Sequence, residues 1–167
     1  MIPFVAASVK ARGGLLLLIR LTVAQSRAIR KTSWQGQMSS AGSVGHSWFG
    51  KLFRSREHWK LRPDLDHTVV TAGYGSGSSL SSTSRTSDGK SVIAYIPNGN
   101  ATALTVDMTN ITDGKGTKVW WFNPATGDVS SGGNCSNRGL RCFTAPDSND
   151  WVLIIDAASA KLPLPTR

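Results

Sequence analysis

The sequence TKVWWFNPATGDVSS, residues 117–131, decides the fold class of this 167-residue chain. Val119 and Trp121 alternate with Trp120 and Phe122, which is the period of two typical of a β-strand. The Asn-Pro-Ala-Thr-Gly segment that follows carries strong turn signals, and a second short strand is predicted at 128–131. The stretch therefore predicts two consecutive strands joined by a turn, and it argues against a helical protein.

The same period of two extends in both directions, from residue 67 to residue 156. Further strands are predicted at 67–74, 90–97, 102–108, 140–145 and 150–156, with a weaker one at 80–85. Gly, Asn, Asp and Pro clusters separate them. Strands at this spacing are typical of an antiparallel sandwich or barrel. We expect an all-β domain, an antiparallel β-sandwich of about seven to eight strands.

The strands at 90–97, 117–123 and 150–156 are apolar on both faces. One face is predicted to be buried between two sheets. Its residues are Val92, Ala94, Ile96, Trp121, Leu153 and Ile155. The second face needs an explanation too: either these strands are central, or a helix or an adjoining domain covers them.

Residues 46–62, HSWFGKLFRSREHWKLR, are predicted to form a short amphipathic helix, with Ser43 as a candidate cap. Its apolar face needs a surface to pack on, and its basic residues fall mainly on the opposite face. We interpret the apolar residues as interdomain docking residues, the alternative being a helix that lies on a membrane or binds an anionic partner. The docking set is Trp48, Phe49, Leu52 and Trp59.

Charge is concentrated at the front of the chain. The sequence holds 19 Lys and Arg against 10 Asp and Glu, a net charge of +9, and residues 1–62 contain Glu57 as their single acid. We expect 1–45 to be a poorly ordered basic leader or a remnant of a longer protein, 63–158 to be the β-sandwich and 159–167 to be a flexible tail. Binding of nucleic acid or a membrane surface through 1–62 is an alternative function, although the near-neutral remainder argues against a nucleic-acid partner.

No apolar run approaches the ~18–20 residues of a membrane span. Candidate catalytic groups are few. Asp64, Asp66 and His67 could serve a hydrolase, which is a second alternative, but adjacent acids at such a junction are more often turn and cap residues. No catalytic residue, metal site or cofactor is predicted.

Cys135 and Cys142 flank the turn candidate Asn-Arg-Gly, so we predict that they form a disulfide across one hairpin. A disulfide fits an oxidising compartment. Three N-x-[ST] sequons, at Asn100, Asn110 and Asn134, also hint at secretion. We therefore expect an extracellular protein.

Five blocks in order, between Ser47 and Asp156, resemble a known module: LFRSREHWKLRPDLDHTVVTAGYG, RTSDGKSVIAYIPNG, LTVDM, VWWFNPATGDV and DWVLIID. They are similar to the C-terminal β-sandwich of DUF4038-type glycoside hydrolases, labelled "putative collagen-binding domain of a collagenase". The resemblance implies a sandwich packed against a (β/α)8 catalytic barrel that holds the catalytic carboxylates, with the helix as connector.

The resemblance implies a non-catalytic accessory or binding module of a secreted, polysaccharide- or matrix-degrading glycoside-hydrolase-like protein. The expected partners are an upstream (β/α)8 domain and a polysaccharide or collagen-like matrix. Sugar-binding sandwiches commonly stack planar rings on sugars, so Tyr74, Tyr95 and Trp120 are candidate ligand-binding residues. The alternative is that these rings form core or interdomain contacts.

Overall fold

The computed structural model describes residues 34–99, 103–112 and 115–165. Most of the expected leader, residues 1–33, lies outside this part. Two helices, α1 (Trp34–Gln37) and α2 (Ala41–Ser55), come first. The described part then contains nine strands, which are β1 (Leu61–Pro63), β2 (Val70–Ala72), β3 (Ser82–Thr86), β4 (Ser91–Ile96), β5 (Leu104–Asp107), β6 (Thr117–Phe122), β7 (Val129–Cys135), β8 (Leu140–Phe143) and β9 (Trp151–Ala157).

The strands form two antiparallel sheets, so the predicted fold class is confirmed. One sheet has the order β1-β3-β4-β9-β6-β7 and the other the order β2-β5-β8. In the large sheet, Leu153 of β9 lies opposite Ala94 of β4 and Trp121 of β6. The main core lies between the sheets, where Leu104 and Val106 of the small sheet join these residues. All six side chains predicted for this core are buried: Val92, Ala94, Ile96, Trp121, Leu153 and Ile155.

Helix α2 covers the other face of the large sheet. Leu52 joins five residues of the large sheet in a second buried cluster, which we call the outer core. The sheet residues of the outer core are Leu61, Ile93, Phe122, Val152 and Ile154. The chain therefore covers the second apolar face of its sheet with its own helix. The three strands with two apolar faces, β4, β6 and β9, are also interior strands of the large sheet, so both possibilities left open by the sequence hold.

The bounds of α2 differ from those predicted. The helix begins at Ala41, and Ser40 caps it by accepting a hydrogen bond from the backbone N–H of Ser43. It ends at Ser55, because Arg56 leaves the helical conformation and Glu57 has a φ of 48°. Residues 61 and 62, which the sequence places in the helix, belong to β1 at the edge of the large sheet.

Contacts with the sandwich hold α2 at its middle and at its C-terminal end. At the C-terminal end, buried Arg56 binds the carboxylate of Asp156. At the middle of the helix, the ring of Trp48 lies on Gly127, where a Cβ would come within 2.5 Å of the ring. We expected the segment 159–167 to be flexible, but its described part, 159–165, reaches back to α2, because Pro165 is buried and its carbonyl accepts a hydrogen bond from Ser55.

The predicted disulfide is wrong, and both cysteines are free thiols. Cys135 ends β7 in the large sheet, opposite Thr117, whereas Cys142 lies on β8 in the small sheet, opposite Thr105. The residues between them carry the chain from one sheet to the other. Because β8 pairs with β5 and not with β7, the turn does not place the two cysteines on facing strands.

Candidate functional site

The three predicted ligand-binding rings do not lie together. Tyr74 follows β2 and packs against the main core, and its ring stacks on His67 at 3.8 Å between centroids. Tyr95 and Trp120 pack against the outer core, on the face that α2 covers. A single flat platform built from all three is therefore not formed, and a ligand role for each of them stays a prediction.

Tyr95 links the outer core to a loop. Its hydroxyl donates to Asp150 at 2.6 Å, and the other oxygen of Asp150 accepts the backbone N–H of Asn98 at 2.9 Å. Burial, and after it the hydrogen bond to Asp150, raises the pKa of Tyr95. The ring also lines a shallow apolar groove beside Phe49 and Phe53 of α2.

The predicted docking residues divide into two groups. Leu52 is fully buried within the chain, and Trp48 and Phe49 pack against the outer core, so these three serve the fold of this chain. The indole N–H of Trp48 is buried and has no acceptor among the described residues. Trp59 is 62% exposed, with the ring of His58 edge-on at 5.3 Å. Docking on another domain stays a prediction, and Trp59 is the residue of the set that is open to such a contact.

Asp64 organises a turn, as adjacent acids at such a junction more often do. Its carboxylate accepts the backbone N–H groups of Thr68, Val69 and Val70, and also the hydroxyl of Thr68. The ring of His67 is held against Tyr74. The structure therefore gives Asp64 a structural task in place of the acid or base function that the hydrolase alternative needs.

The described residues bear on three further functional classes. They contain no group of three or more His, Cys, Asp and Glu side chains placed to bind a metal ion. Within the same residues, no helix is long and apolar enough to cross a membrane. Of the basic residues at 34–62, Arg56 and Lys60 are held in ion pairs with acids of the sandwich. The remaining basic residues of the front third lie mostly at 1–33, outside the described part.

One cluster at the end of the sandwich was missed from the sequence. We call it the Trp151 cluster, formed by Asn98, Asp147, Asn149 and Trp151. Trp151 is partly exposed at the start of β9, and its indole N–H donates to Asp147 at 2.8 Å. The backbone N–H of Asn149 donates to the same oxygen at 2.8 Å. The indole N–H, and after it this backbone N–H, holds the pKa of Asp147 below its usual range.

Two loops meet in this cluster. Gly99 has a φ of 63°, and a Cβ at that position would lie 2.0 Å from the carbonyl oxygen of Asp147. The loop after β4 therefore packs backbone to backbone against the loop before β9, which only glycine permits. The signal in the sequence was the acid- and amide-rich run DSND, residues 147–150, directly before WVLIID. The role of this run depends on contacts with residues about fifty positions earlier in the chain. By itself the run predicts only an ordinary turn.

The blocks of sequence agree with a known family. A family model described as "Putative collagen-binding domain of a collagenase" matches residues 65–156, just over half of the chain. The chain belongs to this family. The match to the collagen-binding-domain family confirms the resemblance seen in the sequence. Among curated proteins, no sequence matches the chain.

Solved structures show the same fold inside larger enzymes. A protein titled "Glycoside hydrolase" matches with a TM-score of 0.67 and 20% identity, over 77% of this chain and 28% of its own. A glycoside hydrolase family 5 protein from Bacteroides vulgatus matches with a TM-score of 0.69 and 17% identity, over 83% of this chain and 29% of its own. This member of the collagen-binding-domain family thus covers less than a third of the length of each glycoside hydrolase.

Proposed function

We propose that this chain is a non-catalytic accessory module of a secreted glycoside-hydrolase-like protein, and that it holds a catalytic domain on its polymeric substrate. The observation that carries the proposal is the combination of a binding-domain family with a fold that occupies less than a third of two glycoside hydrolases. In this proposal, the remaining two-thirds of such a protein supplies the chemistry, as a (β/α)8 domain.

The surroundings of the acids support a non-catalytic role. Asp64 accepts several hydrogen bonds in its turn, Asp156 is buried against Arg56, and Asp88 binds Lys60. A glycosidase needs two carboxyl groups facing one bond, at separations of roughly 5–10 Å, with one of them free to release a proton. These three acids are committed to the fold, so they are poor candidates for that pair.

Secretion is part of the proposal, and it rests on the kind of substrate. Because both cysteines are free thiols, no disulfide argues for an oxidising compartment. The reason that stays is the kind of substrate: polysaccharides and collagen-like matrices are polymers too large to enter a cell. A module that holds an enzyme on such polymers acts outside the cell.

The test is a module swap. A glycoside hydrolase with this kind of sandwich is prepared intact, without its sandwich, and with this chain in its place. We expect the deletion to lower activity on insoluble polymer while leaving activity on a small soluble substrate, and we expect this chain to restore the loss.

The chain alone is assayed in parallel on aryl glycosides and polysaccharides, and we expect no turnover. Turnover by the purified chain that disappears in Asp64→Asn would contradict the non-catalytic role and would favour the hydrolase alternative. Asp107→Asn is the matched control, because Asp107 also accepts hydrogen bonds in a short turn, from Thr109.

A further inference from the structure

We propose that the Trp151 cluster is a polysaccharide-binding site. The inference rests on the proposed function and adds to it a location and a ligand class. The cluster lies at the end of the sandwich where the loop after β4 meets the loop before β9, and it combines one partly exposed indole with exposed amide and carboxylate side chains.

The indole is fixed in place before any ligand arrives. Its N–H is held by Asp147 at 2.8 Å, and its ring meets Trp121 in an edge contact, 6.4 Å between centroids and 83° between planes. Trp121 is itself only 8% exposed. A sugar ring presents C–H groups on one face and packs on such a surface, and a ring that is already ordered loses little entropy on binding.

The polar side chains around the indole match sugar hydroxyls. Asp147, Asn98 and Asn149 are exposed, and they bring amide donors together with amide and carboxylate acceptors. The lowered pKa of Asp147 keeps its carboxylate ionised, and charged acceptors make the stronger hydrogen bonds. Collagen chains are rich in proline and are better matched by a groove of several aromatic rings. One ring with a polar surround therefore favours a polysaccharide.

The two loops hold each other, so the site is preformed. Asp150 binds the backbone of Asn98 with one oxygen and the hydroxyl of Tyr95 with the other. The contact between Gly99 and the backbone of Asp147 leaves no room for a side chain. Ligand sites in proteins are usually largely formed before binding, with a few polar groups in fixed positions.

The test measures binding of the full 167-residue chain to six soluble probes by affinity electrophoresis and calorimetry. The probes are hydroxyethyl cellulose, xylan, mannan, pectin, chitosan and hyaluronan, with fibrillar collagen in a separate pull-down. We expect at least one polysaccharide to bind. Trp151→Ala and Asp147→Ala should each weaken that binding about tenfold or more, as truncation of a central contact does.

Two further variants separate binding from folding. Trp151→Phe keeps a ring on the core and should bind better than Trp151→Ala. Leu140→Ala removes an apolar side chain that is 66% exposed on the small sheet, and it should bind as the original chain does. In the amide NMR spectrum, the indole N–H signal of Trp151, assigned from Trp151→Phe, should be among those that shift on titration.

Three outcomes would overturn the inference, and each differs from failure of the proposed function. If a polysaccharide binds but Trp151→Ala and Asp147→Ala stay within about twofold of the original chain, the site lies elsewhere. If the Trp151 indole signal is unmoved at saturation, the same conclusion follows. If none of the six polysaccharides binds more tightly than about 1 mM, with or without binding to collagen, the ligand class is wrong. The module swap is judged separately, by activity on insoluble polymer.

Discussion

The guanidinium of Arg56 and the carboxylate of Asp156 form two parallel hydrogen bonds, 2.7 and 3.1 Å long, between residues one hundred positions apart. Both side chains are buried, and Ser91 donates a further hydrogen bond to the carboxylate. Burial raises the pKa of Asp156, while Arg56 and Ser91 act against that shift. The pair joins the end of α2 to the last strand, so it ties the helix to the sandwich.

Breaking this pair should destabilise the protein strongly. Asp156→Asn or Arg56→Met leaves a buried charge without its partner, and the free energy of unfolding should fall by about 3–5 kcal/mol. The measurement is urea unfolding followed by tryptophan fluorescence. Lys60→Met is the control, because the partly exposed pair of Lys60 with Asp88 should contribute much less than a buried pair. Equal losses of unfolding free energy in Asp156→Asn and Lys60→Met would show that the buried pair does not hold the helix to the sandwich.

Gly127 should tolerate no side chain, because its φ is 78° and a Cβ would lie 2.5 Å from the ring of Trp48. Gly133, with a φ of 89° and nothing within 4 Å, is the matched control. Alanine in a left-handed conformation costs about 1–2 kcal/mol at either site. We expect Gly127→Ala to lose more than Gly133→Ala in thermal unfolding, and Trp48→Ala to remove the difference. Equal losses for Gly127→Ala and Gly133→Ala in a chain that retains Trp48 would contradict the contact.

Leu52 tests whether α2 belongs to the folded unit. Its side chain is fully buried in the outer core, so Leu52→Ala should lower the free energy of unfolding by about 2–5 kcal/mol. Leu65→Ala changes the same residue type at a position that is 80% exposed, and it should lie within about 0.5 kcal/mol of the original chain. A small loss for Leu52→Ala would mean that the helix packs loosely on the sheet.

The two cysteines should react as separate thiols. Cys142 is exposed and Cys135 is partly buried, so a thiol reagent should modify Cys142 first and Cys135 more slowly. Mild oxidation of the folded monomer should leave its mass unchanged, because the thiols lie on strands of different sheets. Mass spectrometry with and without reductant checks this. A loss of two hydrogens from the folded monomer would restore the hairpin disulfide.

Tyr95 should make stability depend on alkaline pH. Its pKa is raised by burial and by the hydrogen bond to Asp150, whereas in the unfolded chain it ionises near the usual value of about 10. Above that pH the folded state holds one proton more than the unfolded state, so the free energy of unfolding falls as pH rises. Tyrosinate absorbance compared with Tyr95→Phe reports the ionisation, and Tyr95→Phe should show a shallower fall in stability. An identical fall would remove Tyr95 as the cause.

Local patterns predicted what depends on local residues. The alternation in 117–122 and 151–157 gave the strands and the main core, because the period of two directly determines which side chains share a face. The sequence predicts the start of α2 too late. It also places residues 61 and 62 of β1 in the helix, because three residues are too few to show a period. The end of the helix depends on Arg56 meeting Asp156, which no local pattern reveals.

Contacts that join distant segments could not be predicted. The disulfide failed because the choice of β5 as partner for β8 is made by the core between the sheets and not by the turn. The Trp151 cluster was missed for the same kind of reason, since Gly99 and Asp147 meet only after both sheets have formed. The rings of Tyr95 and Trp120 were visible in the sequence, but the helix that covers their face was expected to serve another domain.

The outer core also determines where this module can be cut for transfer into another protein. The family match begins at residue 65, after both α2 and β1, yet Leu52 and Leu61 supply a third of the six buried side chains in that cluster. A fragment cut at the family limit would open Ile93, Phe122, Val152 and Ile154 to water, a continuous apolar surface of the kind that makes fragments aggregate. A transfer of this module into another enzyme should therefore start before Ser40, so that α2 stays with the sandwich and covers the outer core.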